Sequence, residues 1–345
     1  MALKTLRNLI VVACGIAGSG YLRMPLEQKF TEDLRERKAI PPPIGREVWG
    51  QMGQTSLAGV LGGLRTVMAS TLNLAAQTHF EDKEWYELKK QYEIITALDP
   101  YNEFYWNNGG WHLAYNAASW ARTNQELSPI RRKFLEREFL EAGDAFYHEG
   151  LLMLPESPNL WSEVGRLWSN PYKRPDLPRA AEAYKMAAKY GNSFYQRSYL
   201  YVLARIPGRE IEAFEVAKNL LITDPRNLRV PTFRCILFCL STNPELPEDE
   251  LQPKLGEVFP SKEQAYQDLF NYRSRVQEEG FYGGRIDEVL QTLIDELHIP
   301  DSHNPFKPGA RKKIYENSWQ HEVDQPKILR PDPIPGIPGL PRQDN

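Results

Sequence analysis

Apolar residues recur three and four positions apart through most of the middle of the chain, in "EWYELKKQYEIITAL", "RRKFLEREFLEAGDAFYHEGLLML", "PRAAEAYKMAAKY", "REIEAFEVAKNLLI" and "GGRIDEVLQTLIDEL". Polar residues fill the positions between, and no segment alternates with the two-residue period of a strand. The pattern predicts an all-α protein. Most of these helices are too short to be stable alone, so each has to bury its apolar face against neighbours. Repetition of one packing unit is the simplest way to do so.

The helix ends supply a ruler. "ALDPYN", "LMLPESPN", "KYGNS" and "ITDPRN" each close a helix with Pro or Gly followed by a polar turn. Pro155, Gly191 and Pro225 are spaced by 36 and 34 residues. Between them, "WSEVGRLW" places Trp161, Val164, Gly165 and Trp168 at intervals that suit a first helix, and "AAEAYKMA" places Ala180, Tyr184 and Ala187 in a second. With this spacing and these residues the segment resembles the tetratricopeptide repeat (TPR) family, whose units of about 34 residues are helix–turn–helix pairs. The second-helix residues are displaced by about three positions, through the insertion "NPYKRPDLP".

"WNNGGWHLAYN" repeats the first-helix spacing, with Trp106, Gly109, Gly110 and Leu113 in the places of Trp161, Val164, Gly165 and Trp168. Gly110 falls where the resemblance puts a small residue, so that two antiparallel helices can approach. A glycine inside a helix costs about 1 kcal/mol relative to alanine, and close helix contact supplies a reason to keep one. His112 has no Ser, Cys or acidic partner nearby to complete a catalytic set, and reads as structural.

The resemblance spans residues 57–227 and is uneven. The unit ending at Pro100 keeps Ala76 and Tyr92. In the unit begun by Trp106, Ala142 and Phe146 arrive some twenty residues late, so either its helices are long or a loop is inserted around "RTNQELSP". The unit ending at Pro225 keeps Ala213 and Ala217, with Leu200 and Tyr201 where the family has Leu and Gly. The implied architecture is a right-handed superhelical array of antiparallel helix pairs, a TPR-like solenoid. Helices in 228–325 lack the signature and are expected to cap the array.

The ends read differently. Lys4 and Arg7 precede an uncharged run from Asn8 to Leu22, so residues 1–23 read as a signal or membrane anchor. Three fates stay open: a retained anchor with the body outside the cytoplasm, a cleaved and secreted form, or a lipoprotein whose "VVAC" makes Cys14 the lipidated residue. A soluble protein with a buried first helix is the fourth alternative. Basic residues before the run favour a cytoplasmic N-terminus, which would leave the body periplasmic. Residues 24–56, with "PPP" at 41–43, read as a linker or lead-in. A second apolar stretch, "TSLAGVLGGLRTVMASTLNLAAQTHF", carries Arg65 near its middle and reads as a buried helix rather than a membrane span. Residues 326–345 hold six prolines and read as a disordered, extended tail.

Composition narrows the function. Forty-two Lys and Arg against forty-five Asp and Glu give a net charge of −3 with no basic stripe, which argues against nucleic acid. Three cysteines make no disulfide framework, and Cys235 and Cys239, four apart on one helix, read as buried apolar residues. No phosphate loop, metal-ligand spacing or nucleophile motif occurs, so no cofactor or metal is expected. The TPR resemblance implies binding of another protein or peptide along a groove lined by first helices. Its facing positions would be Asn107, Trp111 and Tyr115, then Ser162, Arg166 and Asn170. An Arg among amides suits a carboxylate or extended backbone, and Trp with Tyr suits an apolar anchor. The expectation is a non-enzymatic scaffold or assembly factor tethered to the membrane; the alternative is an enzyme of unusual type with its active site in the groove.

Overall fold

A computed structural model describes residues 2–53, 63–246 and 253–308, with the side chains of 2–13, 16 and 17 excepted. Residues 57–62 of the expected repeats, 309–325 of the expected cap and the proline-rich tail at 326–345 lie outside the described residues. So do the side chains that make the N-terminal run apolar up to Ala13.

Among the described residues every regular element is helical: α1 (Ala2–Glu36), α2 (Arg46–Gln51), α3 (Arg65–Glu81), α4 (Trp85–Leu98), α5, α6 (Pro129–Met153), α7 (Pro158–Trp168), α8 (Leu177–Tyr190), α9 (Ser193–Leu203), α10 (Glu210–Thr223), α11 (Pro231–Ser241), α12 (Leu255–Val258), α13 (Lys262–Glu278) and α14 (Ile286–Leu297). A 3-10 turn at Pro225–Arg229 joins α10 to α11. Helix α5 is one unbroken rod of three parts, Glu103–Trp111, a π-helical stretch His112–Ala117, and Ala118–Thr123, whose junction residues keep right-handed helical dihedrals.

Local chemistry accounts for the boundaries. The side chains of Asn102, Ser128, Ser157, Asp176 and Asn192 each accept a hydrogen bond from a backbone N–H in the first turn of the helix that follows. Proline follows directly at the starts of α6 and α7, where a missing N–H has no consequence. The two tryptophans at 106 and 161 also close turns. Trp106 Nε1 donates to the Pro100 carbonyl and Trp161 Nε1 to the Pro155 carbonyl, each at 2.9 Å and each six residues back.

Each helix from α3 to α11 packs on its successor, and α11, α13 and α14 continue the chain of contacts. The pairing is antiparallel. Along α5 and α6, Trp106 meets Gly150, Gly110 meets Tyr147, and Ala114 meets Gly143. Alternate helices also touch, α5 with α7 and α9 with α11. The apolar interior forms two clusters that meet at α7 and α8, where Trp168 packs on both. Cys235 and Cys239 lie buried in the second of these, and burial raises both thiols.

Three expectations change in detail. Helix α1 runs without a break through residue 24 to Glu36, with Pro25 inside it, so the segment read as a lead-in begins as helix. The lead-in is fastened to the body by two cations: Lys38 Nζ donates to the Met153 carbonyl and Arg65 Nη1 to the Pro42 carbonyl, both at 3.1 Å. In α3, Ala69 and Ala76 are buried while Val67 and Leu74 are exposed, so this helix covers one face only. The delayed residues of the Trp106 unit are explained by helix length. α5 and α6 are joined by a short turn from Asn124 to Ser128, and it is the helices that are extended.

Candidate functional site

The two glycines at 109 and 110 are buried where α5 crosses α6. A Cβ on Gly110 would stand 2.7 Å from Cδ1 and 2.8 Å from Cζ of Tyr147; one on Gly109 would stand 2.5 Å from Cε1 of Phe146. From the facing helix, a Cβ on Gly143 would meet the Ala114 nitrogen at 2.7 Å and the Gly110 carbonyl at 2.8 Å. The two backbones therefore touch, and aromatic rings from α6 lie over the glycines of α5. Gly165 has the same surroundings one unit later, with Tyr184 of α8 at 2.7 Å from its would-be Cβ. Ala180 and Ala187 are fully buried on α8 beside it. This part of the sequence is a packing surface.

His112 belongs to the same structural group. Its ring lies 5.0 Å from Phe80, 5.7 Å from Tyr92 and 5.5 Å from Trp111, and its Nδ1 meets Asn116 Nδ2 at 3.0 Å. Burial pushes its pKa down to about 4, so it is neutral at pH 7.

The groove residues are divided. Trp111 is 39% exposed and stacks on Tyr115 at 6.4 Å between centroids and 23° between planes. Arg166 reaches across from α7, its guanidinium 5.8 Å from the Tyr115 ring centre. These three converge. Asn107 and Ser162 are half-buried on α5 and α7 and contribute short polar side chains to the same helix faces. Asn170 lies beyond the end of α7, and its side-chain oxygen accepts from the Tyr172 N–H at 3.0 Å, so it shapes the following loop instead of the helix face expected for it.

Two residues that the sequence did not single out complete the cluster. Lys173, in the inserted loop, places its ammonium 4.7 Å from the centre of the Tyr115 ring and donates to the Ala114 carbonyl at 2.7 Å. That carbonyl lies in the π-helical stretch, where the departure from α-helical pairing leaves a use for an outside donor. Burial lowers the Lys173 pKa to about 8, with Arg122 adding to the effect and Glu136 opposing it. Glu163 pairs with Arg166 one turn away on α7. The hydroxyls of Tyr115 and Tyr147 are both buried without a hydrogen-bond partner. Burial raises both phenols, so neither supplies a phenolate near neutrality.

A second network braces the cluster from behind. Asp144 on α6 is 7% exposed and accepts from Trp168 Nε1 at 2.6 Å and from Arg179, whose guanidinium stacks 4.2 Å from the Trp168 ring centre. His148 Nδ1 lies 3.4 Å from the same carboxylate. Burial alone would raise Asp144, but hydrogen bonds from His148 and Trp168 and the charges around it leave it below its ordinary value. Trp168 thus ties α6, α7 and α8 together.

The arrangement offers an aromatic pair beside two cations, at a place where α5 and α7 touch. It can take an apolar side chain against Trp111 and an anionic or carbonyl group against Arg166 or Lys173. No group of His, Cys, Asp and Glu among the described residues could hold a metal ion. No protein-family model and no characterised protein matches the sequence.

Proposed function

We propose that the protein is a membrane-tethered helical-repeat scaffold, built as a TPR-like superhelical array, that binds an extended segment of another protein along the face shared by α5 and α7. The observation that carries this reading is the convergence of exposed Trp111, stacked Tyr115, and the cations of Arg166 and Lys173 on one surface. Antiparallel helix pairs and repeated Trp-to-carbonyl turn closures support the repeat architecture. The tether rests on the N-terminal sequence. No described helix is long and apolar enough to cross a membrane, and the side chains of the apolar run lie outside the described residues.

The test is affinity capture from detergent-solubilised membranes with full-length wild type and with the Trp111→Ala, Arg166→Ala double variant. A specific protein recovered with wild type and lost with the variant, at an unchanged melting temperature, supports the proposal. An identical set of partners with both would remove this surface from consideration. If no specific protein is recovered and a small-molecule turnover screen scores, an enzyme is the better reading.

A further inference from the structure

A cleft of ≈ 390 Å³ opens between α4 and α6 at the last turn of α5, in the size range of small binding sites. Trp85 and Tyr86 of α4, Trp120 of α5 and Phe139 of α6 line it, with Leu127 and Leu135 beside them. The rings stand in pairs: Trp85 lies 6.1 Å from Trp120, and Tyr86 lies 5.5 Å from Phe139. Two cations on the rim, Lys83 and Arg131, balance two carboxylates, Glu84 and Glu87. On the adjoining turns of α6, Ile130 and Phe134 stay exposed. The cleft is therefore aromatic, apolar and without net charge.

One polar atom in its wall is left over. Trp85 is 6% exposed, and its Nε1 is buried with no hydrogen-bond partner among the described residues. The indoles of Trp106, Trp161 and Trp168 all donate to oxygens. A buried donor without an acceptor is costly, so an apolar occupant that also brings a carbonyl suits this cleft.

The end of the sequence contains such an occupant. In "IPGIPGLP", residues 334–341, Ile334, Ile337 and Leu340 stand three apart, as do Pro335, Pro338 and Pro341, with Gly336 and Gly339 in the third place. Three is the number of residues per turn of a polyproline II helix, which recurrent proline favours and whose carbonyls have no internal partners. Wound that way, the segment sets Ile and Leu along one edge, proline along the next, and leaves a bare glycine edge. It carries no charge, matching the balanced cleft.

We propose that residues 334–341 dock in this cleft of their own chain as a polyproline II helix. The edge of Ile334, Ile337 and Leu340 lies against the rings, and one carbonyl accepts from Trp85 Nε1. A stiff proline-rich segment gives up little entropy on entering an aromatic groove. The reach suffices. The last described residues lie by α13, where Arg273 stands over Phe306, and residues 309–333 can span up to about 80 Å. From α14 back to α4 is about five helix pairs, roughly 50 Å at about 10 Å per pair. Tethering also presents the segment at an effective concentration on the order of mM, ahead of a similar segment on a separate molecule.

Methyl NMR of the full-length protein with isotope-labelled isoleucine tests the docking. Ile334→Leu and Ile337→Leu assign the two signals, and the labelled peptide of residues 326–345 gives their free positions. Ring currents in the occupied cleft should displace both signals from those positions in wild type. Tyr86→Ala removes a ring that is 48% exposed, so the melting temperature should hold while both signals return at least halfway to the free positions. Trp85→Phe keeps a ring without the N–H and should at least triple the free population. Excess unlabelled peptide of residues 326–345 should compete and restore the free positions in wild type. Signals at the free positions in wild type, or displaced signals that Tyr86→Ala and Trp120→Ala both leave in place, overturn the proposal. Displacement that grows with protein concentration would give the cleft to the tail of a second copy and overturn docking within one chain. None of these readouts involves Trp111 or Arg166, so the reading of the α5–α7 surface stands or falls separately.

Discussion

Substituting Gly110 tests whether the α5–α6 contact is as tight as the geometry requires. An added methyl would lie 2.7–2.8 Å from two carbons of the Tyr147 ring, inside the distance that real Cβ atoms keep. Tyr147 is fully buried, so the ring has no free space to enter. Alanine gains up to about 1 kcal/mol of helix propensity over glycine, whereas overpacking a core costs about 1–3 kcal/mol. The second effect should win, leaving Gly110→Ala about 1 kcal/mol less stable and Gly110→Val about 3 kcal/mol less stable, since valine adds two further carbons and a stiff χ1. At about 2–4 °C per kcal/mol for a body of this size, thermal melts followed by circular dichroism should fall by about 6–12 °C for the valine variant. Gly256→Ala is the control: nothing lies within 4 Å of its would-be Cβ, and the change should be neutral or slightly stabilising. Trimming the obstacle supplies a cycle, because Gly110→Ala combined with Tyr147→Leu should cost at least about 1 kcal/mol less than the two changes summed. Gly110→Val melting with wild type, or strict additivity with Tyr147→Leu, would refute the packing argument.

Two histidines should give stability opposite pH dependences. Burial holds His112 at about 4 against an ordinary 6.5, so the unfolded chain takes up a proton that the native state refuses. Stability on its account is full above pH 6.5 and is lost as pH falls toward 4, by at most about 3 kcal/mol and nearer 2 given the ring's partial exposure; His112→Phe should flatten that limb in urea titrations, and an unchanged acid limb would contradict it. His148 is raised above its ordinary value, first by its hydrogen bond to Asp144, so its contribution is full below pH 6.5 and is lost as pH rises through the native value. Asp144→Asn should bring the His148 titration, followed by NMR, back down toward 6.5 and cost about 1–2 kcal/mol through loss of charge-assisted hydrogen bonds from Arg179 and Trp168; an unmoved His148 titration would show that the carboxylate does not set it.

Helices and their ends were legible because the signals are local. Asn102, Ser157 and Asn192 act on N–H groups two or three residues ahead, and the Trp106 and Trp161 indoles reach carbonyls six residues back. A reader of the chain sees all partners of such contacts in one window. The same holds for the glycine pair, whose position against the second helix follows from the repeat spacing even though the ring that covers Gly110 comes from 37 positions later.

The surface proposed for binding was legible only in part, and the reason lies in α5. Spacing alone places Trp111, Tyr115 and Arg166 on the faces of first helices. It does not show that residues 112–117 wind as a π-helix, because no sequence signal marks the change of pitch. Nor does it show that the insertion after α7, which looks like a disturbance of the repeat, returns Lys173 to the Ala114 carbonyl fifty-nine positions away. The two departures meet at one atom: the longer loop brings the Lys173 ammonium to a carbonyl of the π-helical stretch and sets its positive charge beside Tyr115. The insertion after α7 thus places a second cation on the proposed surface.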